Sequence, residues 1–230
     1  MREPKGRPLR PRADFRLEGR HLSAGVENIV GIDEAGIGPW AGPVVAAAVR
    51  LNPKALPRGI ADSKTLTARR RELCYDEIMD LASVGVGIAA AARVDRDNVL
   101  RASHWAMAQA VRELGFLPGL ALIDGKHVPP LDCPAEAIVD GDAKILSIAA
   151  ASIIAKVTRD RIMVAFATAC PGYGFEKHKG YGTAEHRAAI ANLGLTPIHR
   201  RSFKPIQEVL AALSDDQNGP PLTHGGPKSG

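Results

Sequence analysis

The sequence predicts an α/β fold with a mixed central sheet flanked by helices and with a helical C-terminal part. Two apolar segments, Ile29 to Asp33 and Val44 to Leu51, are typical of strands. The Gly- and Pro-rich stretch between them favours a turn and an antiparallel pair. Beyond this pair, strand-like and helix-like patterns alternate along the chain, which indicates helices layered on a sheet.

The remaining elements follow from hydrophobic periodicity and from helix start and stop signals. Strands are predicted at 84–91, 119–124 and 135–139, and helices at 67–82, 98–114, 144–169, 183–192 and 205–213. The longest predicted helix is apolar on nearly every side as far as Lys156 and amphipathic after it. This pattern is typical of a helix that enters a core.

One folded domain is expected at residues 26–213, between two tails. A chain of 230 residues, 45% of them hydrophobic, can bury a sizeable core. Residues 1–25 are rich in Arg, Pro and Gly, and residues 214–230 are rich in Gly, Pro and polar side chains. Both compositions are typical of disordered segments.

Composition also limits the partners and the cellular location that can be expected for the protein. The formal net charge is +5, and most of it lies in the N-terminal tail, so total charge alone does not indicate a nucleic-acid partner. The 3 cysteines form no C-x-x-C pair, which argues against a disulfide framework and a thiolate zinc site. No apolar run is long enough to span a bilayer. We therefore expect a cytoplasmic protein that has no contact with membranes.

Acidic residues stand at the ends of several predicted elements. Asp33 and Glu34 follow one strand, Asp124 ends another, and Asp142 precedes the long helix. Hydrolysis of a phosphodiester by two metal ions needs several converging carboxylates, and Mg²⁺ and Mn²⁺ prefer oxygen ligands. Taken singly, each acid is better explained as a turn residue or a helix N-cap. Taken together, they can meet at one edge of a sheet and form a metal site.

The segments around these acids strongly resemble the bacterial ribonuclease HII family. The resemblance runs through most of residues 28–205. Its segments are Gly31-Ile32-Asp33-Glu34-Ala35-Gly36, Asp62-Ser63-Lys64, Leu122-Ile123-Asp124-Gly125, Gly141-Asp142 with residues 148–160, His178-Lys179-Gly180-Tyr181-Gly182-Thr183, and His199-Arg200-Arg201-Ser202-Phe203. Each segment alone is a weak signal, whereas their order and spacing together are specific.

The resemblance implies an RNase H-like fold and an Asp-Glu-Asp-Asp active site, which falls here on Asp33, Glu34, Asp124 and Asp142. It implies Mn²⁺ or Mg²⁺ as the cofactor. The implied reaction is hydrolysis at the phosphate 5′ of a ribonucleotide, which leaves a 3′-hydroxyl and a 5′-phosphate. The implied substrates are RNA–DNA hybrids and ribonucleotides embedded in duplex DNA. The sequence does not predict a protein partner.

Further substrate contacts are expected from the same resemblance. Tyr181 looks like the aromatic residue that packs against the ribose, and Lys64 looks like a phosphate contact. Residues 176–204 carry more basic than acidic side chains, and from this stretch Arg200 and Arg201 are expected to contact the nucleic-acid backbone. An ordinary half-buried tyrosine and a solvated lysine are the alternatives for these residue types.

One departure from the family pattern follows the Asp-Glu pair. Where the family usually has Gly-Arg-Gly, this chain has Gly36-Ile37-Gly38. The glycine amides can still approach the ribose 2′-hydroxyl, but the donors of the arginine side chain are absent. The alternative function is therefore a hybrid-binding protein with weak or lost catalysis. More distant alternatives are a ribonuclease HIII, whose group carries a folded N-terminal domain, and another carboxylate-dependent nuclease or phosphotransferase on the same fold.

Overall fold

A mixed sheet lies at the centre of the computed structural model, which describes residues 13–60 and 66–217 and side chains as far as residue 212. The strands are β1 Ile29–Ala35, β2 Val44–Arg50, β3 Ser83–Ala89, β4 Leu120–Asp124 and β5 Ala135–Ile138. They form a 5-stranded sheet in the order β3-β2-β1-β4-β5. The β1–β2 and β2–β3 pairs are antiparallel, and β1–β4 and β4–β5 are parallel. The predicted mixed sheet and its first antiparallel pair are confirmed.

Helices occupy most of the remaining described chain. They are α1 Arg16–Ser23, α2 Ala68–Leu81, α3 Ala91–Asp97, α4 Val99–Arg112, α5 Leu146–Ala169, α6 Phe175–His178, α7 Ala184–Leu193 and α8 Lys204–Gln217. A single 3₁₀ turn, Gly141–Ala143, precedes α5. Within the described residues, no helix combines the length and the hydropathy that crossing a membrane requires.

The two faces of the sheet are covered by different helices. Ala47 and Val49 of β2 belong to the core beneath α5 and α2, whereas Ala46 and Ala48 belong to the core beneath α4. Neighbouring residues of a strand point to opposite faces, so α5 and α4 lie on opposite sides of β2. The sheet is therefore buried on both faces, and its functional groups must be at its edges or strand ends.

Glycines bring the helices unusually close to the strands. A Cβ atom built on Gly31 of β1 would lie 2.1 Å from the carbonyl carbon of Ser147, at the start of α5. On the other face, a Cβ on Gly87 of β3 would lie 2.0 Å from the backbone oxygen of Ala106 in α4. Any side chain at either position would displace a helix backbone, so both contacts require glycine.

The N-terminal boundary differs from the prediction of a tail at residues 1–25. Residues 1–12 lie outside the described part, but α1 begins at Arg16 and Glu18 is only 1% exposed. The Glu18 carboxylate accepts a hydrogen bond of 2.9 Å from the backbone N–H of Ser147. α5 has no side-chain N-cap of its own at Ile145, so Glu18 satisfies a backbone donor in its first turn. The composition of residues 1–25 alone cannot predict this contact, because Ser147 is 129 residues away from Glu18 in the sequence.

Smaller differences concern helix and strand ends. The predicted strand at 84–91 ends at Ala89, and α3, which was not predicted, follows at once. Asn98 has a φ of +67° between α3 and α4, and its side chain accepts the N–H of Arg101. It therefore separates one helical stretch into two. At the other end, α8 extends to Gln217, beyond the predicted start of the C-terminal tail at 214.

Replacing Gly31 by alanine is expected to destabilise the fold, because the new methyl group would overlap the backbone of α5. We expect a loss of about 1–3 kcal/mol or more in the free energy of unfolding, measured by urea denaturation.

Gly19→Ala is the matched control. No atom lies within 4 Å of a Cβ built on Gly19, which is inside α1. Alanine should therefore raise stability there by roughly 0.5–1 kcal/mol. Equal effects of the two substitutions would contradict the close contact at Gly31.

Candidate active site

The carboxyl ends of β1 and β4 place two acidic residues side by side. The strands are parallel, and Ile32 lies opposite Ile123. Asp33 and Asp124, each one residue further along, therefore reach the same end of the sheet. Glu34 follows directly, and its backbone N–H donates a 2.7 Å hydrogen bond to Oδ1 of Asp33. The structure thus brings together three of the four acids that the sequence singles out.

Asp142, the fourth acid, sits in the 3₁₀ turn before α5 and is 5% exposed. Its neighbour Gly141 donates a backbone hydrogen bond of 2.7 Å to Oδ1 of Asp124. A Cβ on Gly141 would lie 2.7 Å from Cδ1 of Ile148, so glycine allows this approach. Asp142 is therefore tied to the acidic site through Gly141, but its side chain does not line the adjoining cleft.

Negative charge is concentrated around Asp33, which is 5% exposed. Burial raises the pKa of the Asp33 carboxyl well above its ordinary value, and the nearby charges of Glu34 and Asp124 raise it further. A hydrogen bond from the Ser152 side chain opposes this effect. Within the described residues, no group of three or more His, Cys, Asp or Glu side chains is already arranged to hold one metal ion.

A cleft of about 310 Å³ opens beside these carboxylates. Its lining consists of Asp33, Glu34, Ala35, Gly36, Ile37, Gly38, Arg71, Asp124, Ser152, Lys156, Arg159 and Tyr181. The cleft therefore combines acidic strand ends, the glycine loop, the predicted aromatic residue and several basic side chains.

Five lining residues had no role assigned from the sequence, namely Ala35, Arg71, Ser152, Lys156 and Arg159. Three of them come from α5 at spacings of four and three residues, which places them on one face of the helix. In the sequence, that spacing could have identified these three residues as neighbours of the site. Lys156 bonds Asp160 through Nζ at 2.8 Å, and Arg71 on α2 donates to the Leu66 carbonyl at 3.0 Å.

The glycine loop after Glu34 is held from behind by Arg200, which is 0% exposed. Its guanidinium donates to the carbonyl oxygens of Gly42 at 3.0 Å, Ile37 at 3.0 Å and Gly36 at 2.6 Å. These bonds occupy every nitrogen of the guanidinium group. The predicted contact of Arg200 with the nucleic-acid backbone is therefore incompatible with its burial, and Arg200 shapes the loop instead.

Arg159 is a second buried arginine at the loop, with 1% of its surface exposed. It donates to the carbonyl oxygens of Pro43 at 3.0 Å, Ala41 at 3.1 Å and Lys179 at 3.1 Å. A Cβ on Gly36, whose φ is +99°, would lie 2.2 Å from Nε of Arg159. Glycine at this position thus satisfies both the backbone conformation and the close approach of the arginine.

Tyr181 and Ile37 present their side chains at the mouth of the cleft. Tyr181 is 47% exposed and Ile37 is 37% exposed. A Cβ on Gly38 would lie 3.8 Å from Cε1 of Tyr181, so the aromatic ring stands directly beside the glycine loop. The exposed ring and the backbone of the glycine loop therefore border the same part of the cleft.

The other predicted contacts have different outcomes. Lys64 lies outside the described residues. Arg201 is exposed but does not line the cleft, and its backbone N–H donates to Asp95 at 3.0 Å. Within the basic stretch 176–204, Lys177 forms a 2.8 Å ion pair with Glu185. Part of the local positive charge is therefore used inside the protein.

Comparison with known proteins identifies relatives over most of the chain. The family model for ribonuclease HII matches residues 30–206. A ribonuclease HII from Azorhizobium caulinodans is 54% identical over 193 residues, which cover 84% of this chain and 74% of the relative. One from Nitrobacter hamburgensis is 50% identical over 226 residues, which cover 96% of this chain and 83% of the relative.

Solved structures share the same architecture. The ribonuclease HII of Archaeoglobus fulgidus, determined in a complex with PCNA, has a TM-score of 0.67 and 27% identity, covering 77% of this chain and 95% of that one. The ribonuclease H2 of Pyrococcus horikoshii has a TM-score of 0.67 at 24% identity, covering 81% of this chain and 99% of that one. The expected RNase H-like fold is thereby confirmed, and the chain belongs to the ribonuclease HII family.

Proposed function

We propose that the carboxylate cleft hydrolyses the RNA strand of RNA–DNA hybrids and cuts 5′ of ribonucleotides embedded in duplex DNA, leaving 3′-hydroxyl and 5′-phosphate ends. The observation that carries the assignment to this cleft is the meeting of Asp33, Glu34 and Asp124 at the ends of two parallel strands. An exposed tyrosine and an open glycine loop border the same space. Membership of the family supports the proposed reaction, and the cleft supports its assignment to these residues.

Divalent Mn²⁺ or Mg²⁺ is part of this proposal, with Asp33, Glu34, Asp124 and Asp142 as the residues that would hold it. The donor set suits these ions, because both prefer carboxylate oxygen ligands. The charges that raise the pKa of Asp33 come from Glu34 and Asp124, and a cation would offset their repulsion. Mg²⁺ commonly uses only one or two carboxylates, with water and substrate phosphate as its other ligands, so a preformed cage is not required.

The protein groups around the acids have separable tasks. Bound divalent ions in such sites activate water and neutralise charge that develops on the phosphate. Ser152 orients the Asp33 carboxylate through its hydrogen bond. Lys156 and Arg71 share one acidic partner, Asp160, so together they leave net positive charge on the wall of the cleft, which favours entry of a polyanionic backbone. Ser152 thus orients an acid, whereas the two basic side chains attract the substrate.

Recognition of the ribonucleotide is assigned to Tyr181 and the glycine loop. The exposed ring of Tyr181 offers a face for packing against a sugar, beside the backbone of Gly38. Arg159 and Arg200 hold the loop, so its amides stay in place without help from the residue 37 side chain. The contacts of Lys64 and Arg201 with phosphates remain predictions, as does a cytoplasmic location.

Loss of catalysis is the less favoured alternative. The Ile37 side chain departs from the family pattern, but the carboxylates are present and the loop backbone is fixed by the buried arginines. The curated relatives at 50–54% identity are ribonucleases HII. These observations favour an enzyme over a protein that only binds hybrids.

A cleavage assay tests the proposed reaction directly. Purified protein should cut a duplex that contains one ribonucleotide when Mn²⁺ or Mg²⁺ is present and should stop when EDTA is added, since the proposed chemistry needs the ion. The products are expected to end in a 3′-hydroxyl and a 5′-phosphate, which gel mapping can establish. Retained binding without metal-dependent cleavage would support the hybrid-binding alternative, and equal cutting of an all-DNA duplex would contradict the substrate assignment.

Asp124→Asn should remove activity while preserving the fold. The asparagine Oδ1 can still accept the Gly141 N–H that Asp124 accepts at 2.7 Å, but the carboxylate charge is lost. We expect kcat/KM on the single-ribonucleotide duplex to fall at least about a hundredfold, because metal ions supply several kcal/mol of transition-state stabilisation. Asp132→Asn, at an exposed position in the β4–β5 connection, is the matched control. Equal activities of the two variants would contradict the role of Asp124.

Ile37→Arg should raise activity. The Ile37 carbonyl is bound by Arg200, while its side chain is exposed at the cleft, so substitution can add donors without changing the loop backbone. Hydrogen bonds to charged groups contribute about 1.5–3 kcal/mol, which corresponds to an increase in kcat/KM of roughly tenfold or more. Ile37→Leu controls for side-chain replacement alone. If kinetic measurements show no gain for the arginine variant, the isoleucine does not limit substrate binding.

A further inference from the structure

Two buried histidines connect the C-terminal helices to Tyr181. His186, on α7, is 0% exposed, and His199, between α7 and α8, is 1% exposed. His199 Nδ1 lies 2.9 Å from the backbone nitrogen of Thr196, and its Nε2 lies 3.1 Å from Nε2 of His186. His186 Nδ1 in turn lies 3.0 Å from the carbonyl oxygen of Tyr181. These contacts form a continuous series, here called the histidine chain: Thr196, His199, His186 and Tyr181.

The direction of every hydrogen bond in the histidine chain is fixed by its two ends. The Thr196 backbone N–H can only donate, and the Thr196 hydroxyl, also 2.9 Å from His199 Nδ1, can donate to the same atom. His199 Nδ1 is therefore the acceptor, and the His199 proton is on Nε2. His199 Nε2–H then donates to His186 Nε2, which leaves the His186 proton on Nδ1. That proton is donated to the Tyr181 carbonyl, which can only accept. One tautomer of each neutral ring satisfies all the contacts.

The surroundings of the two rings favour this neutral arrangement. A further proton on His186 would place two N–H groups opposite each other at Nε2, and one on His199 would face the Thr196 N–H. Burial lowers the pKa of both His186 and His199 to about 4. Among the aromatic neighbours, His178 of α6 stacks on His186 with 4.6 Å between the ring centroids, and the Tyr173 ring lies 5.5 Å from that of His199.

The backbone next to Tyr181, which the histidine chain binds, has an unfavourable conformation. Lys179 and Gly180, just before Tyr181, both have left-handed backbone angles, with φ values of +52° and +85°. A non-glycine residue in this conformation costs on the order of 1 kcal/mol. The Tyr181 carbonyl accepts both the His186 ring and the Thr183 N–H, the latter at 2.8 Å. The exposed ring of Tyr181 is therefore attached to a backbone that a buried residue, His186, holds by a hydrogen bond.

We infer that His186 and His199 are positioning residues for Tyr181, holding its ring at the orientation in which it contacts the ribose. The inference rests on the proposed role of Tyr181 in ribose recognition. Neither histidine lines the cleft, so both act through the backbone of Tyr181. If they served only to fill the core, their effect on cleavage would not depend on the Tyr181 side chain.

The tautomers can be measured on the unaltered protein. Nitrogen-15 NMR of the imidazole rings should show a proton on Nδ1 of His186 and on Nε2 of His199, and both rings should remain neutral at pH 5.5. His21 on α1, which lines no part of the cleft, is a reference histidine in the same spectra. The opposite tautomer at either ring, or a charged ring at pH 5.5, would overturn the histidine chain.

A double-mutant cycle tests its effect on the reaction. His186→Gln removes the donor to Tyr181, whereas His186→Asn keeps an amide donor near the position of Nδ1. We expect kcat/KM on a single-ribonucleotide duplex to fall about tenfold for the glutamine variant and to be largely retained by the asparagine variant. In a Tyr181→Ala background, His186→Gln should have less than about a twofold effect. His21→Asn is the control, and thermal unfolding verifies that each variant is folded.

The outcomes separate this inference from the proposed function. Equal effects of His186→Gln in both backgrounds would show a purely structural role and overturn the inference, while the ribose contact stands. Normal cleavage by Tyr181→Ala would overturn the ribose contact and the inference together, while metal-dependent hydrolysis stands. Should His186→Gln fail to fold, His199→Asn, which removes the Nε2 donor to His186, takes its place in the same two backgrounds. Equal effects of His199→Asn in both backgrounds would overturn the inference.

Discussion

The close contact between β1 and α5 at Gly31 is the constraint on which the site depends. Because glycine has only a hydrogen atom in place of a side chain, the backbone of Ser147 can lie directly against the strand at Gly31. This contact fixes the helix relative to Asp33, two residues further along β1. Ser152, Lys156 and Arg159, on successive turns of α5, then meet the strand end and the loop beyond it. The position of the candidate site is therefore set by a contact that itself contains no functional group.

Buried arginines determine the shape of the loop that follows. Arg159 and Arg200 each donate three hydrogen bonds to backbone carbonyls. Burial lowers the pKa of Arg200 to about 9, so it remains protonated at neutral pH. A charged guanidinium in the interior is costly unless its donors are satisfied, and the carbonyls of the loop satisfy them. Disturbing the loop would therefore also leave buried donors unpaired.

The sequence predicts the main elements of the fold because apolar periodicity reports burial directly. It also indicates Asp33, Glu34 and Asp124, since acids at strand ends can meet when the strands are parallel. It does not reveal the role of Arg200, because a basic residue in a charged stretch looks the same whether it is exposed or buried. α1 is missed for a related reason: its short, Arg-rich sequence is polar, and its burial of Glu18 depends on a contact with α5 far along the chain.

The attachment of the loop has a consequence for how this enzyme can be altered. The carbonyl at position 37 is bound in the interior by Arg200, while the side chain at the same position faces the cleft. Backbone shape and surface chemistry are thus determined by different atoms of a single residue. The side chain at position 37 can therefore be exchanged for protein engineering while Arg200 continues to hold the loop backbone.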